Sequence, residues 1–212
     1  MTEINDVLTR EFAQKREKQV SNINYSLFLK FKEKSGKYFG RCGINFTLKN
    51  KEEISLESIS EIKKVLVNGK NAKYSKEGHF VNFLDGLKTG LNEIEIEYEA
   101  NYDHTGAGLH QFIDSEDGKE YIYSHFEPYD AHRMFPCFDQ PDLKAALKLE
   151  VEIPKSWIAI SNEHGKEKIA GERKIVSFDE TKKLSTYLFE IAAGNYDFVE
   201  DFYNGMKMRI YF

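Results

Sequence analysis

One short run of the chain concentrates the residue types that chemistry needs: Tyr123-Ser124-His125-Phe126-Glu127-Pro128-Tyr129-Asp130-Ala131-His132-Arg133-Met134-Phe135-Pro136-Cys137-Phe138-Asp139-Gln140-Pro141-Asp142-Leu143-Lys144-Ala145. Acids, bases, aromatics and closely spaced prolines share one irregular stretch with strand-like sequence on both sides. A carboxylate such as Glu127, held on an ordered polar loop, is suited to receive a positive ligand group. The structural alternative for the same residues is a long connection pinned by Pro136 and Pro141. Phe135 and Phe138 would then plug the core, and Arg133 would pair with Asp130 or Asp139.

Other chemistries find little support. The six histidines are His79, His104, His110, His125, His132 and His164, and none belongs to a His-Glu-x-x-His pattern. His104 and His110 lie near Asp103, where solvated loop residues are the simpler reading than a shared ion. Ser161 and Cys137 lack a nucleophile elbow, and Cys137 between two phenylalanines reads as a small buried hydrophobe. Gly36, Gly40 and Gly43 match no phosphate-binding loop. The expectation is therefore no catalytic residue and no metal ligand set within this chain.

The elements that position the run read as mainly β. A net charge of −5 spread without blocks disfavours nucleic acid as a partner. The N-terminal residues lack a basic segment followed by an apolar one, and no apolar run is long enough for a membrane span, so a cytoplasmic chain with reduced thiols is expected. Cys42 and Cys137 have no metal-ligand spacing, and their sequence positions leave a disulfide open. Ile4, Val7, Leu8 and Phe12 recur at helical spacing with Thr2 as a candidate N-cap, which predicts a short N-terminal helix ending near Val20-Ser21-Asn22. From Tyr25 the period becomes two. Tyr25, Leu27, Leu29 and Phe31 alternate with more polar neighbours, and Ile94, Ile96 and Tyr98 alternate with glutamates, as in strands with one face in water. Further strands are expected at Tyr38–Leu48, Ile62–Val67, Phe80–Leu84, Tyr121–Phe126, Ala146–Ile153, Ile158–Asn162, Ile175–Phe178 and Thr186–Asn195. Asn68-Gly69, Asp117-Gly118 and Asn204-Gly205 predict hairpin turns with positive φ, and Asp85-Gly86 marks another turn. Met206–Phe212 reads as a strand that stops without a closing turn, as in a longer polypeptide. The sum is an antiparallel β-sandwich, read as one domain over residues 1–212.

The central run also carries a resemblance. Phe126-Glu127 with Asp130-Ala131, Arg133, Phe135-Pro136-Cys137-Phe138-Asp139-Gln140-Pro141 and Lys144-Ala145 resembles the signature of zinc aminopeptidases of the aminopeptidase N family. Leu8-Thr9-Arg10-Glu11 through Val20-Ser21-Asn22 and Tyr25 is similar to the opening of bacterial members. Gly108-Leu109-His110-Gln111-Phe112, Leu184-Ser185-Thr186-Tyr187 and Ala192-Ala193-Gly194 resemble later landmarks. The resemblance implies a saddle-like N-terminal β-sandwich packed on a thermolysin-like catalytic domain that is not in this chain. It implies zinc in the full-length parent and none bound here, with the peptide N-terminus as ligand. The isolated chain is expected to be inactive.

Within that resemblance, Glu127 matches the residue that reaches toward the substrate's free α-amine, where some members carry Gln. His125 falls where the family usually has Gln, a residue lining the pocket for the first side chain. Ser124 stands for the usual Thr, and Gln140 for the usual Glu of the Asp-Glu-Pro segment. Arg133, Asp139 and Lys144 are assigned to loop architecture, because a rigid loop is what aims Glu127. Two other readings remain: a non-catalytic interaction scaffold of the same ancestry, and a bifunctional hydrolase acting on lipid epoxides. Those hydrolases carry Gln at the position of Glu127, so the acid favours peptides.

Overall fold

The computed structural model describes residues 7–50 and 53–212. It is mainly β with one short helix, as the alternation predicts. Helix α1 (Arg10–Gln19) leads into β1 (Val20–Lys30) and β2 (Lys37–Leu48). Then come β3 (Ser55–Glu57), β4 (Glu61–Val67), β5 (Lys70–Asn71), β6 (Tyr74–Glu77), β7 (Phe80–Phe83) and the long β8 (Gly90–Asn101). The hairpin β9 (Gly108–Ile113) and β10 (Glu120–His125) leads to the motif loop, followed by β11 (Ala146–Pro154), β12 (Ile158–Ser161), β13 (Gly165–Ala170) and β14 (Arg173–Phe178). The chain finishes with β15 (Ile191–Gly194), β16 (Phe198–Tyr203) and β17 (Met206–Tyr211).

The main sheet has the order β13-β14-β11-β1-β2-β8-β4-β5. A second sheet, β12-β15-β10-β9, and a third, β3-β7-β6, enclose one hydrophobic core with it. Leu27, Ile44, Ile96 and Val151 reach that core from the main sheet, Ile122 and Ala193 from the second, and Leu56 and Val81 from the third. The glutamates that alternate with Ile94, Ile96 and Tyr98 stay outside, so one face of the main sheet meets water. Gly40 marks where the sheet backbone approaches the core ring of Tyr98: an added Cβ would meet that ring at 2.1 Å. Strands β16 and β17 pair only with each other. Among the described residues no helix is long and apolar enough to cross a membrane.

Three expectations are corrected. The helix is capped by Thr9, whose side chain accepts the Phe12 N–H at 3.3 Å, and Val7 and Leu8 precede it; Thr2 and Ile4 lie outside the described residues. Its buried side chains are Arg16 and Gln19 rather than an apolar stripe, because α1 docks through an ion pair. The strand expected over Thr186–Asn195 is a single 3-10 turn, Thr186–Leu188, followed by the short β15. The sheets are dominated by antiparallel pairing, as expected, and β1 runs parallel to β11 in the middle of the main sheet. The turns fare better. Asn68 and Gly69 have φ of 52° and 76°, and Asn204 and Gly205 have 50° and 77°, the double positive φ that Asn-Gly hairpins need.

Candidate functional site

The motif loop starts where β10 ends. His125 is the last strand residue and is exposed, Phe126 is buried at 2% and anchors the turn, and Glu127 points its side chain into solvent. The Asp130 N–H donates to the Phe126 carbonyl at 2.9 Å and closes the turn around Glu127 and a cis Glu127–Pro128 bond. One 3-10 turn, Ala131–Arg133, follows, and Arg133 Nε donates to Asp130 Oδ1 at 2.5 Å, which decides between its two expected partners. Phe135, Cys137 and Phe138 are fully buried, which agrees with the structural alternative for the two phenylalanines and with the reading of Cys137 as a small buried hydrophobe.

Beneath the loop lies a buried polar network. Arg16 of α1, 1% exposed, places Nη1 at 2.5 Å and 2.6 Å from the two Glu57 carboxylate oxygens, and Glu57 is itself fully buried. Burial pushes the Glu57 carboxyl above its ordinary range, and the Arg16 guanidinium opposes that shift. The Asp139 N–H donates to Glu57 Oε2 at 3.2 Å, and β3 bridges the loop through Glu57 and Cys137. Arg16 Nε donates to Gln140 Oε1 at 3.0 Å, while Gln140 Nε2 donates to the Ala13 carbonyl at 3.0 Å. An amide can do both at once and a carboxylate cannot, which explains Gln at this position physically. The Asp139 carboxylate accepts the His132 N–H at 3.1 Å and His132 Nδ1 at 2.8 Å through Oδ2, and the Thr186 hydroxyl at 2.7 Å through Oδ1. Asp139 and Gln140 are therefore architectural here, and Lys144 is exposed.

Glu127 and His125 are brought together. Both line a cavity of about 120 Å³ with Ser124, Phe126 and the segment Tyr187–Glu190. Ser124 Oγ accepts the Ile191 N–H at 2.9 Å, so the hydroxyl common to Ser and Thr stitches β10 to β15 at the cavity rim. The lining holds two carboxylates, Glu127 and Glu190, and no lysine or arginine. Its potential therefore favours a cation. Glu190 was not apparent from sequence, because it is an isolated acid that only the approach of β15 to β10 brings to the site; its backbone is held by Ser161 Oγ at 2.6 Å and by Asn162 Oδ1 at 2.9 Å. The cavity is far below the ~300 Å³ at which small-molecule pockets begin, so it suits one end of a ligand rather than a whole one.

Metal chemistry is not built from these residues. Among the described residues no three His, Cys, Asp or Glu side chains converge as ligands. Asp103, next to His104 and His110, uses Oδ1 to accept from Thr105 N at 2.5 Å and Ala107 N at 3.3 Å in a local turn. Cys42 and Cys137 are free, buried thiols, and burial pushes both of their pKa values up.

A motif braced in this way on a β framework defines a recognisable class. Residues 21–188 match the family model described as the Peptidase M1 N-terminal domain, and the chain belongs to that family. It is 33% identical to a leucyl aminopeptidase of Saccharolobus solfataricus over 84% of this chain and 22% of the relative. It is 37% identical to aminopeptidase N of Streptomyces lividans over 57% of this chain and 14% of the relative. Aminopeptidase M1 of Arabidopsis thaliana is 38% identical over 59% of this chain and 14% of its own length. The chain thus spans less than a quarter of the length of each of these relatives.

Proposed function

We propose that this chain is the substrate-binding N-terminal part of a zinc-dependent aminopeptidase that removes N-terminal residues from peptides. Glu127 receives the α-ammonium of the substrate, and His125 flanks the first side chain. The observation that carries this reading is the presentation of Glu127, an exposed carboxylate in a small anionic cavity, on a loop pinned from below by Asp139.

An aminopeptidase has to distinguish a charged N-terminus from an internal amide, and a carboxylate does so because its attraction for an ammonium carries a charge–charge component that a neutral amide lacks. At ~3 Å and an effective dielectric of about 20, the gross attraction is on the order of 5 kcal/mol, much of it offset by desolvation. The pairing also fixes which peptide bond lies at the reacting centre. Among the described residues no three His, Cys, Asp or Glu side chains converge as ligands, and in this reading the zinc is held by another part of a longer polypeptide while this domain contributes recognition and orientation. Two buried free thiols fit a reducing, cytoplasmic setting.

The test is a kinetic comparison in the longer polypeptide. Glu127→Ala should lower kcat/KM for leucine anilide about tenfold to a hundredfold, the loss of one charge-assisted hydrogen bond of roughly 1.5–3 kcal/mol. A folded variant with parental kcat/KM would overturn the assignment. The present chain alone should not turn over the anilide, and turnover above a buffer control would refute the division of labour proposed here.

A further inference from the structure

The cavity beside Glu127 holds a second carboxylate, which the pairing of Glu127 with an α-ammonium leaves without a role. Glu190 stands on the wall formed by Tyr187–Glu190, facing the wall formed by His125 and Glu127. Its place is fixed by the sheet. Strands β10 and β15 run antiparallel with Tyr123 opposite Ala192. The same register carried two residues further sets His125 opposite Glu190. Parity puts both on the outward face, since Ile122, Phe126, Phe189 and Ile191 at the alternate positions are buried. Side chains from the end of β12 hold the Glu190 backbone: Ser161 Oγ donates to its carbonyl at 2.6 Å, and its N–H donates to Asn162 Oδ1 at 2.9 Å. Asn162 Nδ2 also donates to the Leu188 carbonyl at 2.8 Å, so one amide brackets the residue. The Glu190 side chain is exposed and, among the described residues, is in no ion pair.

The rest of the lining suits one kind of cation. Tyr187 and Leu188 set an aromatic ring and an apolar side chain beside the two carboxylates. A lysine or arginine side chain has the matching construction, an apolar stem that ends in a charged head, and that head is attracted to a nearby ring as well. A divalent metal ion is the poorer occupant. Calcium takes about six to eight oxygen ligands, and no three His, Cys, Asp or Glu side chains converge among the described residues.

We propose that Glu190 is a specificity-determining residue, which receives the charged end of a lysine or arginine at the substrate's N-terminus and so directs the enzyme to peptides that begin with a basic residue. This rests on the reading of Glu127 as the acceptor of the α-ammonium and of His125 as the flank of the first side chain. A basic first residue carries two cations on one Cα, and the cavity carries two carboxylates on facing walls, one for each. An uncharged first residue engages Glu127 alone and leaves Glu190 to water.

The test compares kcat/KM of the longer polypeptide for lysine and norleucine anilides, whose first side chains are similar in length and differ by one ammonium. Lysine should be preferred by about tenfold or more, and Glu190→Gln should lower that ratio about tenfold, as expected for one charge-assisted pair open to solvent on one side. Glu190→Asp should keep part of the preference, and added salt should erode it in the parent but not in Glu190→Gln. Glu127→Gln removes the partner of the ammonium that both substrates share, so it should lower both values and leave their ratio within about twofold. A ratio unmoved by Glu190→Gln, or equal losses on both substrates, would overturn this inference and leave the peptidase reading in place. A longer polypeptide that hydrolyses neither anilide removes the peptidase reading. Calorimetric binding of lysine amide and norleucine amide then decides the role of Glu190: equal affinities overturn it, and a preference for lysine that Glu190→Gln abolishes sustains it.

Discussion

The Thr186 hydroxyl donates to Asp139 Oδ1 at 2.7 Å, and both side chains are 1% exposed. The same carboxylate holds His132 through Oδ2. One buried acid therefore joins the loop that begins at Glu127 to the segment Tyr187–Glu190 on the other side of the cavity. The separation of the cavity walls is set by this joint and by the Ser124–Ile191 hydrogen bond.

Thr186→Val should destabilise the chain by about 2 kcal/mol, because a buried carboxylate oxygen loses its donor. Thr186→Ser keeps the hydroxyl and should cost about 1 kcal/mol or less, mainly lost methyl packing. Urea midpoints at constant m value read both. A valine variant within ~0.5 kcal/mol of the parent would show that the bond carries no weight.

Breaking the Arg16–Glu57 pair from one side should be costly. Arg16→Met leaves Glu57 buried without its cation and should lose on the order of 3–5 kcal/mol. The double variant Arg16→Met with Glu57→Gln removes both charges and should recover a large part of that loss. A double-mutant cycle with additive effects would mean that the two side chains do not act as a pair.

Glu127→Ala should leave the stability of the chain within ~0.5 kcal/mol of the parent, since the side chain is solvent-exposed. Glu127→Gln should be as stable and should impair catalysis by the longer polypeptide less than alanine does, because the amide oxygen still accepts from an ammonium. A large loss of stability in either variant would return Glu127 to a structural role.

The chain should unfold in alkali. Burial raises the pKa values of Tyr25, Tyr38, Tyr98 and Tyr102 and of the thiols Cys42 and Cys137. An acid whose pKa is higher folded than unfolded contributes its full stability below the unfolded value and loses it as pH rises above that value. Stability should therefore hold to about pH 8.5, the ordinary thiol value, and then fall steeply beyond about pH 10. The loss per group is up to ~1.4 kcal/mol per pH unit. Phenolate absorbance and circular dichroism should change together, and phenolate formation at the buried tyrosines in a still-folded chain would contradict this account.

Local sequence determined what one-dimensional periodicity can report. Alternation placed Leu27, Leu29, Ile94, Ile96 and Tyr98 in the core, because a strand with one wet face sorts its side chains by parity. Asn68-Gly69 and Asn204-Gly205 fixed two hairpins, because both turn residues need positive φ. The run Phe126–Ala145 carried the family signature in its residue order, and the family match bears that resemblance out.

Tertiary structure alone decided the rest. Arg16 is not among the apolar positions by which the N-terminal helix was read, yet it is buried against Glu57 and against Gln140, 124 residues away. The parallel pairing of β1 with β11, the 3-10 turn at Thr186 and the arrival of Glu190 beside Glu127 depend likewise on which distant segments meet. The physical reason is common to all of them. A polar side chain enters a protein interior only where its partners are already placed, and those partners come from parts of the chain whose own local preferences carry no information about one another.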